Sequence, residues 1–197
     1  MLRSCSILRD ALLISVVAMG SAEASFHFYD IQEVFSNNDG SVQFIELFTV
    51  QGNQQFLGGH TAAFEINSTP QSIVNLSNLP GDSANRSVLI GTSNLATLYG
   101  VTPDFIIPAN FLSAGATHFI NFASGTDRVN LSLLPTNGMA SLNGRIADSS
   151  QNSSGTSVNL VATPTNFAGR TATIPEPSGV VLFGFTSGFL ASRRRRV

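Results

Sequence analysis

Residues 42–50, Val-Gln-Phe-Ile-Glu-Leu-Phe-Thr-Val, restrict the possible folds more than any other stretch of the chain. Successive side chains of a strand point to opposite faces, so Phe44, Glu46 and Phe48 share one face and Ile45 and Leu47 the other. A strand that is apolar on both faces needs cover on both, as in the interior of a sandwich. Just upstream, Ile31, Glu33 and Phe35 alternate with Gln32, Val34 and Ser36. Asn37-Asn38-Asp39-Gly40 then supplies a tight reversal, with positive φ open to Gly40. The two runs read as a β-hairpin. Glu46 is its odd residue. A carboxylate among phenylalanines has its pKa raised by desolvation and is a candidate for acid-base work. The competing reading places Glu46 at an edge or has it capping neighbouring backbone N–H groups. That reading is preferred, because no second carboxylate or histidine lies at a spacing that completes a catalytic pair.

The rest of the middle section repeats this pattern in short pieces. Strands are expected over Ala63–Asn67, Ser72–Asn75, Ser87–Gly91, Phe105–Ile107, His118–Phe122, Arg128–Leu133 and Ser157–Ala162. Turn residues separate them at Leu79-Pro80-Gly81-Asp82, Gly100-Val101-Thr102-Pro103 and Pro135-Thr136-Asn137-Gly138. Ser93–Tyr99 reads as one short helix capped by Ser93 or Asn94, and the polar Ser149–Thr156 as an exposed loop. Strands at this spacing indicate an all-β sandwich or barrel. Twelve phenylalanines between Phe26 and Phe167 supply the apolar surface for a core and argue against disorder.

Charge excludes one class of partner. Between Ser25 and Thr173 four arginines face nine carboxylates, a formal charge of about −5. That balance leaves no basic footprint for nucleic acid. Chemistry is hard to nominate. His27, His60 and His118 show no metal-ligand spacing, and the one cysteine, Cys5, lies far upstream of them. Asn37-Asn38-Asp39-Gly40 has the oxygen-rich start of a calcium loop but lacks its later carboxylates. No nucleophile motif, phosphate loop or dinucleotide fingerprint is present. No catalytic, cofactor or metal residue is therefore assigned. The Asn-x-Ser/Thr triplets at Asn67, Asn75, Asn85, Asn130 and Asn152 mark polar surface at most.

The two ends are more explicit. Residues 1–24 have the layout of a secretory signal: Arg3 and Arg9, an apolar stretch from Ala11 to Met19, and Ala22-Glu23-Ala24 as a small-x-small cleavage site. Cleavage after Ala24 frees Ser25 and leaves a mature chain without cysteine, held by its core alone. At residues 174–197, Ile174-Pro175-Glu176-Pro177 is followed by an apolar run from Gly179 to Ala191 and by Arg193, Arg194, Arg195 and Arg196. As a helix that run spans about 20 Å, short of the roughly 30 Å hydrocarbon layer. It crosses if Ser178 and Ser192 are drawn in and the arginines snorkel. The positive-inside rule then leaves the arginines cytoplasmic and everything before Pro175 outside.

This tail resembles the PEP-CTERM sorting signal, which exosortases of Gram-negative bacteria recognise. The resemblance implies export, temporary arrest in the inner membrane, cleavage near Pro175-Glu176-Pro177 and delivery to the cell surface or extracellular matrix. The opening hairpin, "IQEV" followed by "DGSVQFIEL", resembles the start of lamin-tail-like immunoglobulin-type domains of secreted bacterial proteins. "NRSVLIGT", "TPDFIIPANFL" and "INFASGTDRVNLSLLPTNG" resemble its continuation in PEP-CTERM proteins. The expected organisation is a signal peptide (1–24), an all-β immunoglobulin-like or lamin-tail-like sandwich (25–173) and a sorting signal with one transmembrane helix (174–197). The expected role is a non-enzymatic matrix, biofilm or adhesion component, with an exosortase and extracellular polysaccharide as partners. The alternative is a secreted hydrolase using Glu46, Asp39 or a histidine. A carbohydrate-binding module is discouraged by the absence of Trp and the presence of only Tyr29 and Tyr99.

Overall fold

The computed structural model describes residues 28–143 and 157–175. Among them the chain forms β1 (Asp30–Ser36), β2 (Gln43–Thr49), β3 (Thr61–Ile66), β4 (Thr69–Asn75) and β5 (Arg86–Gly91). The short helix α1 (Asn94–Tyr99) follows, then β6 (Phe105–Ile106), β7 (His118–Phe122), β8 (Asp127–Asn130), β9 (Ser141–Asn143) and β10 (Ser157–Asn159). The segments expected to be a signal peptide (1–24) and an exposed loop (Ser149–Thr156), and the apolar and arginine-rich stretch from Gly179 to Arg196, all lie outside the described residues.

Two sheets result, one of six strands in the order β10-β9-β1-β2-β5-β6 and one of four in the order β4-β3-β7-β8. All pairings are antiparallel except β5 with β6. The all-β sandwich expected from the turn spacing is present. β2 is central, paired with β1 on one side and β5 on the other. Its hairpin with β1 closes through Asn37, whose N–H donates to the Val42 carbonyl (3.0 Å) and whose side-chain oxygen accepts from the Val42 N–H (3.0 Å). Gly40 takes φ of 68° there, and a Cβ at that position would run into Asn110.

The large sheet is buried on both faces. Ile45 and Leu47 of β2, Val34 of β1, Val88 and Ile90 of β5 and Leu142 of β9 face the small sheet, meeting Ala62, Phe64, Ile120, Phe122 and Val129. On the opposite face, Phe35, Phe44 and Leu89 are covered by Leu95 of α1, by Val101, and by Ala162, Ala172 and Ile174 of a C-terminal hairpin. Phe35 and Phe44, directly opposite in register, stack at 5.5 Å. The covering hairpin, residues 162–174, is held by Ile174 N–H to Ala162 O (2.9 Å), Ala172 N–H to Pro164 O (3.0 Å) and Asn166 N–H to Arg170 O (3.0 Å). The described residues thus form two sheets plus a third partial layer.

Several sequence expectations are corrected. Ile31 does not share a face with Glu33 and Phe35. A β-bulge leaves Gln32 unpaired between Ile31 (opposite Leu47) and Glu33 (opposite Glu46), so Ile31 turns inward with Val34. The bulge is pinned across the sandwich: buried Asp127 of β8 accepts the Ile31 N–H at 2.6 Å. β9 was not expected, being three residues long with a single apolar side chain, Leu142. The strand expected over Ser157–Ala162 stops at Asn159, and Ala162 instead begins the covering hairpin. α1 starts after Ser93, which makes no side-chain capping bond.

Replacing Phe44 by Ala removes a fully buried ring from the outer core and is expected to lower stability by about 3–5 kcal/mol. Ile73→Ala on the exposed edge strand β4 is expected to cost less than about 0.5 kcal/mol. Urea unfolding of the two variants checks the contrast. Equal losses would contradict the two-faced burial of the large sheet.

Candidate functional site

Glu46 does not lie at an edge. It sits mid-strand on the outer face of the large sheet, 1% exposed, and Glu33 (3% exposed) lies directly opposite it on β1. Side chains so paired across antiparallel strands have Cβ atoms roughly 5 Å apart. A second carboxylate therefore does accompany Glu46, contrary to the sequence expectation. The missed signal is countable: a reversal spanning 37–42 puts Phe35 opposite Phe44, and two residues further out Glu33 opposite Glu46.

Both carboxylates hold the covering hairpin. The Thr163 N–H donates to Glu33 (3.2 and 3.3 Å to its two oxygens), and the Thr165 N–H donates to Glu46 Oε2 at 2.9 Å. The next alternate residue repeats the contact: the Phe167 N–H donates to Asp104 Oδ2 at 2.8 Å. In an extended segment alternate N–H groups point the same way. Residues 163, 165 and 167 thus aim three donors at the sheet while Asn166 and the Pro164 carbonyl pair with the hairpin's other arm. The underlying sheet supplies the remaining donors. The Ser87 hydroxyl donates to Glu46 Oε1 (2.6 Å), the Ser141 hydroxyl to Glu33 Oε1, and the Leu89 N–H to Asp104 Oδ2 (2.8 Å). Glu46 does cap backbone N–H, as expected, but of a segment more than a hundred residues away rather than of neighbours.

Among the described residues the donors to Glu33 and Glu46 are all uncharged, and this sets their protonation. Burial raises the pKa of Glu46 to about 7; the Ser87 and Thr165 bonds oppose the rise, and the nearby Glu33 charge adds to it. Burial also raises Glu33 and Asp104, against the bonds from Ser141 and Thr163 and from Leu89 and Phe167 respectively. Glu65 on the small sheet is built differently. It pairs with Arg128 at 3.1 Å, whose guanidinium lies 3.6 Å from the centre of the Phe119 ring.

A protonated acid beside a carboxylate is the raw material of acid-base catalysis, but a substrate must reach it. Glu33 and Glu46 share no hydrogen bond and lie beneath the hairpin. Clefts of about 380 and 200 Å³ open elsewhere, and neither is lined by Glu33 or Glu46. The other candidates lie apart from Glu46. Asp39 is at the exposed β1–β2 turn, where the Ser41 hydroxyl (2.6 Å) and N–H (3.0 Å) hold its carboxyl below its usual range. His118 is on the small sheet, its Nδ1 against Ser113 and its ring edge-on to Phe64. His60 leads into β3. His27 is outside the described residues. Among the described residues no three His, Cys, Asp or Glu side chains are grouped to hold a metal ion.

The Pro175-Glu176-Pro177 stretch, expected to be a sorting motif, begins where the hairpin ends. Ile174 is 2% exposed, and Pro175 is exposed at the lip of the 380 Å³ cleft. Glu176, Pro177 and Arg193–Arg196, like Ala22 and Ala24, lie outside the described residues, within which no helix is long and apolar enough to cross a membrane. Comparison with protein-family models, with curated proteins and with solved structures finds no match to the chain.

The raised pKa of Glu46 makes stability depend on pH with a definite sign. The folded state holds a proton that the unfolded chain releases near pH 4.5. Stability from this group is therefore full at low pH and lost as pH rises toward about 7, by on the order of 3 kcal/mol. Melting temperature is expected to fall between pH 5 and 8. Glu46→Gln keeps an acceptor for Thr165 and a donor for Ser87, and is expected to melt higher than the parent at pH 8 with a flatter profile. A variant less stable than the parent at pH 8 would contradict this assignment.

Proposed function

We propose that the chain is an exported, non-enzymatic matrix or adhesion component of a Gram-negative cell surface. In this reading an N-terminal signal peptide takes it across the inner membrane, and an exosortase-type enzyme cleaves near Pro175-Glu176-Pro177. The sandwich between them is of the lamin-tail-like immunoglobulin type. The sequence of its opening hairpin supports that assignment, as do the two antiparallel-dominated sheets.

The observation that carries the proposal is the position of the motif against the fold. Ile174 makes the closing backbone bond of the hairpin, to Ala162, and seals the outer core. The next residue, Pro175, carries no backbone N–H, and neither does Pro177. Every core residue described lies upstream of the motif, so cleavage within it leaves the sandwich whole. The burial of Glu33 and Glu46 under the chain's own hairpin favours this reading over a hydrolase.

Mass spectrometry of the native protein after cell fractionation tests the proposal. The extracellular form is expected to begin at Ser25 and to lack the arginine cluster, and Glu176→Ala is expected to leave tailed protein in the inner membrane. Recovery of Arg193–Arg196 on the extracellular protein would overturn it.

A further inference from the structure

The 380 Å³ cleft is built by four separate segments at one end of the sandwich: the β1–β2 turn, the last residue of α1, the 137–138 turn, and Pro175 leaving the hairpin. Its volume is at the lower end of the roughly 300–1,000 Å³ typical of small-ligand sites, enough for one or two six-membered rings.

The chemistry of the lining narrows the ligand. Asp39 accepts the Ser41 hydroxyl and N–H on Oδ1 and is also bonded by the Asn37 side chain, and its exposed carboxylate has lone pairs left to accept from a ligand. Asn137 uses Oδ1 for the Met139 N–H (3.0 Å), leaving its amide N–H₂ as a donor. The Asn37 carboxamide is spent on Ser41 and Val42, whereas the Asn38 carboxamide and the Tyr99 hydroxyl make no hydrogen bond among the described residues. The half-buried Tyr99 ring and the Pro175 ring add two apolar surfaces. Among the described residues no Arg or His lines the cleft and the one charge there is negative, so those residues offer a phosphate, sulfate or carboxylate ligand nothing to neutralise it. Free donors and acceptors beside an aromatic ring match a solute with hydroxyls around its rim and C–H groups on its face.

From this geometry we infer that the cleft formed by Asn38, Asp39, Tyr99, Asn137 and Pro175 binds a neutral saccharide unit. The pyranose face lies on Tyr99, and its hydroxyls exchange hydrogen bonds with Asp39 and the two carboxamides. Counting aromatic residues in the sequence discouraged a sugar site, and Tyr29 is indeed buried in the core, 1% exposed. One accessible tyrosine is enough for a single-ring site when three polar side chains surround it. The inference rests on the matrix reading above for its biological meaning, and names the polysaccharide contact that reading lacks. Binding is measured on purified protein, where sorting plays no part, so either proposal can fail alone.

Saturation-transfer NMR on the full chain, in a phosphocholine detergent rather than a glycosidic one, tests it. The probes are the methyl glycosides of glucose, galactose, mannose and N-acetylglucosamine at about 5 mM, suited to millimolar affinity. Transfer to ring C–H protons of at least one glycoside is expected, dropping about fivefold or more in Tyr99→Ser and in Asn137→Ala and largely kept in Tyr99→Phe. Tyr99 also packs on the outer core, whereas Asn137 is on an exposed turn and contributes nothing to the core, so the Asn137 variant gives up only the local Met139 N–H bond and reads the site independently of core packing. No transfer from any of the four, or transfer unchanged in both Tyr99→Ser and Asn137→Ala, would overturn the inference.

Discussion

A sheet that is apolar on both faces must be covered twice, and the second cover here is a segment of chain held by carboxylates. Three alternate N–H groups, of Thr163, Thr165 and Phe167, end on Glu33, Glu46 and Asp104, side chains contributed by or beside different strands. An ordinary sheet edge would offer backbone carbonyls to such a segment. The face of a sheet offers none, because its carbonyls are already spent between strands. Side-chain oxygens standing up from that face are the way to bond a strand laid across it. Leaving out those acceptors would strand three N–H groups against an apolar surface, at about 1–3 kcal/mol each. Filling Glu33 and Glu46 with hydrophobic residues would create that loss.

The same arrangement explains why acids tolerate burial without a cation. Glu33 and Glu46 each receive one N–H from the hairpin and one hydroxyl from a neighbouring strand, Ser141 or Ser87, and Glu33 also takes the Thr163 hydroxyl at 3.5 Å. These uncharged donors offset part of the desolvation of one charge but not all of it, and two adjacent charges make the deficit larger. The result is a pair that holds a proton far above the pH at which a free carboxylate lets it go, and still accepts a bond from the hairpin when it does. An acid with these properties invites a catalytic reading. Its partners and its cover are those of a fastening.

Much of this was legible in the chain. The alternation of Val42–Val50 identified a strand buried on both faces, and Asn37–Gly40 located its turn. Glu46 stood out by type alone. What could not be read was register and long-range closure. Ile31 and Val34, three apart, share a face only because Gln32 bulges out, and the stabilising contact for that bulge comes from Asp127 nearly a hundred residues on. Glu33 became Glu46's partner through pairing arithmetic that the strand pattern permits but does not announce. Residues 163–173, with four Thr and two Ala, have no apolar alternation long enough to suggest a strand. Their order comes from acceptors on distant strands, which no local propensity records.

The fastening of the hairpin is measurable directly. Site-resolved hydrogen exchange on the full chain reads the amides of Thr163, Thr165 and Phe167 individually. If the carboxylates hold the hairpin, these three exchange at rates comparable to Leu47 in the central strand β2, while the exposed Ala168 at the hairpin's turn exchanges freely. Exchange of all three as fast as Ala168 would contradict the account, since the outer face of the large sheet would then have no fixed cover.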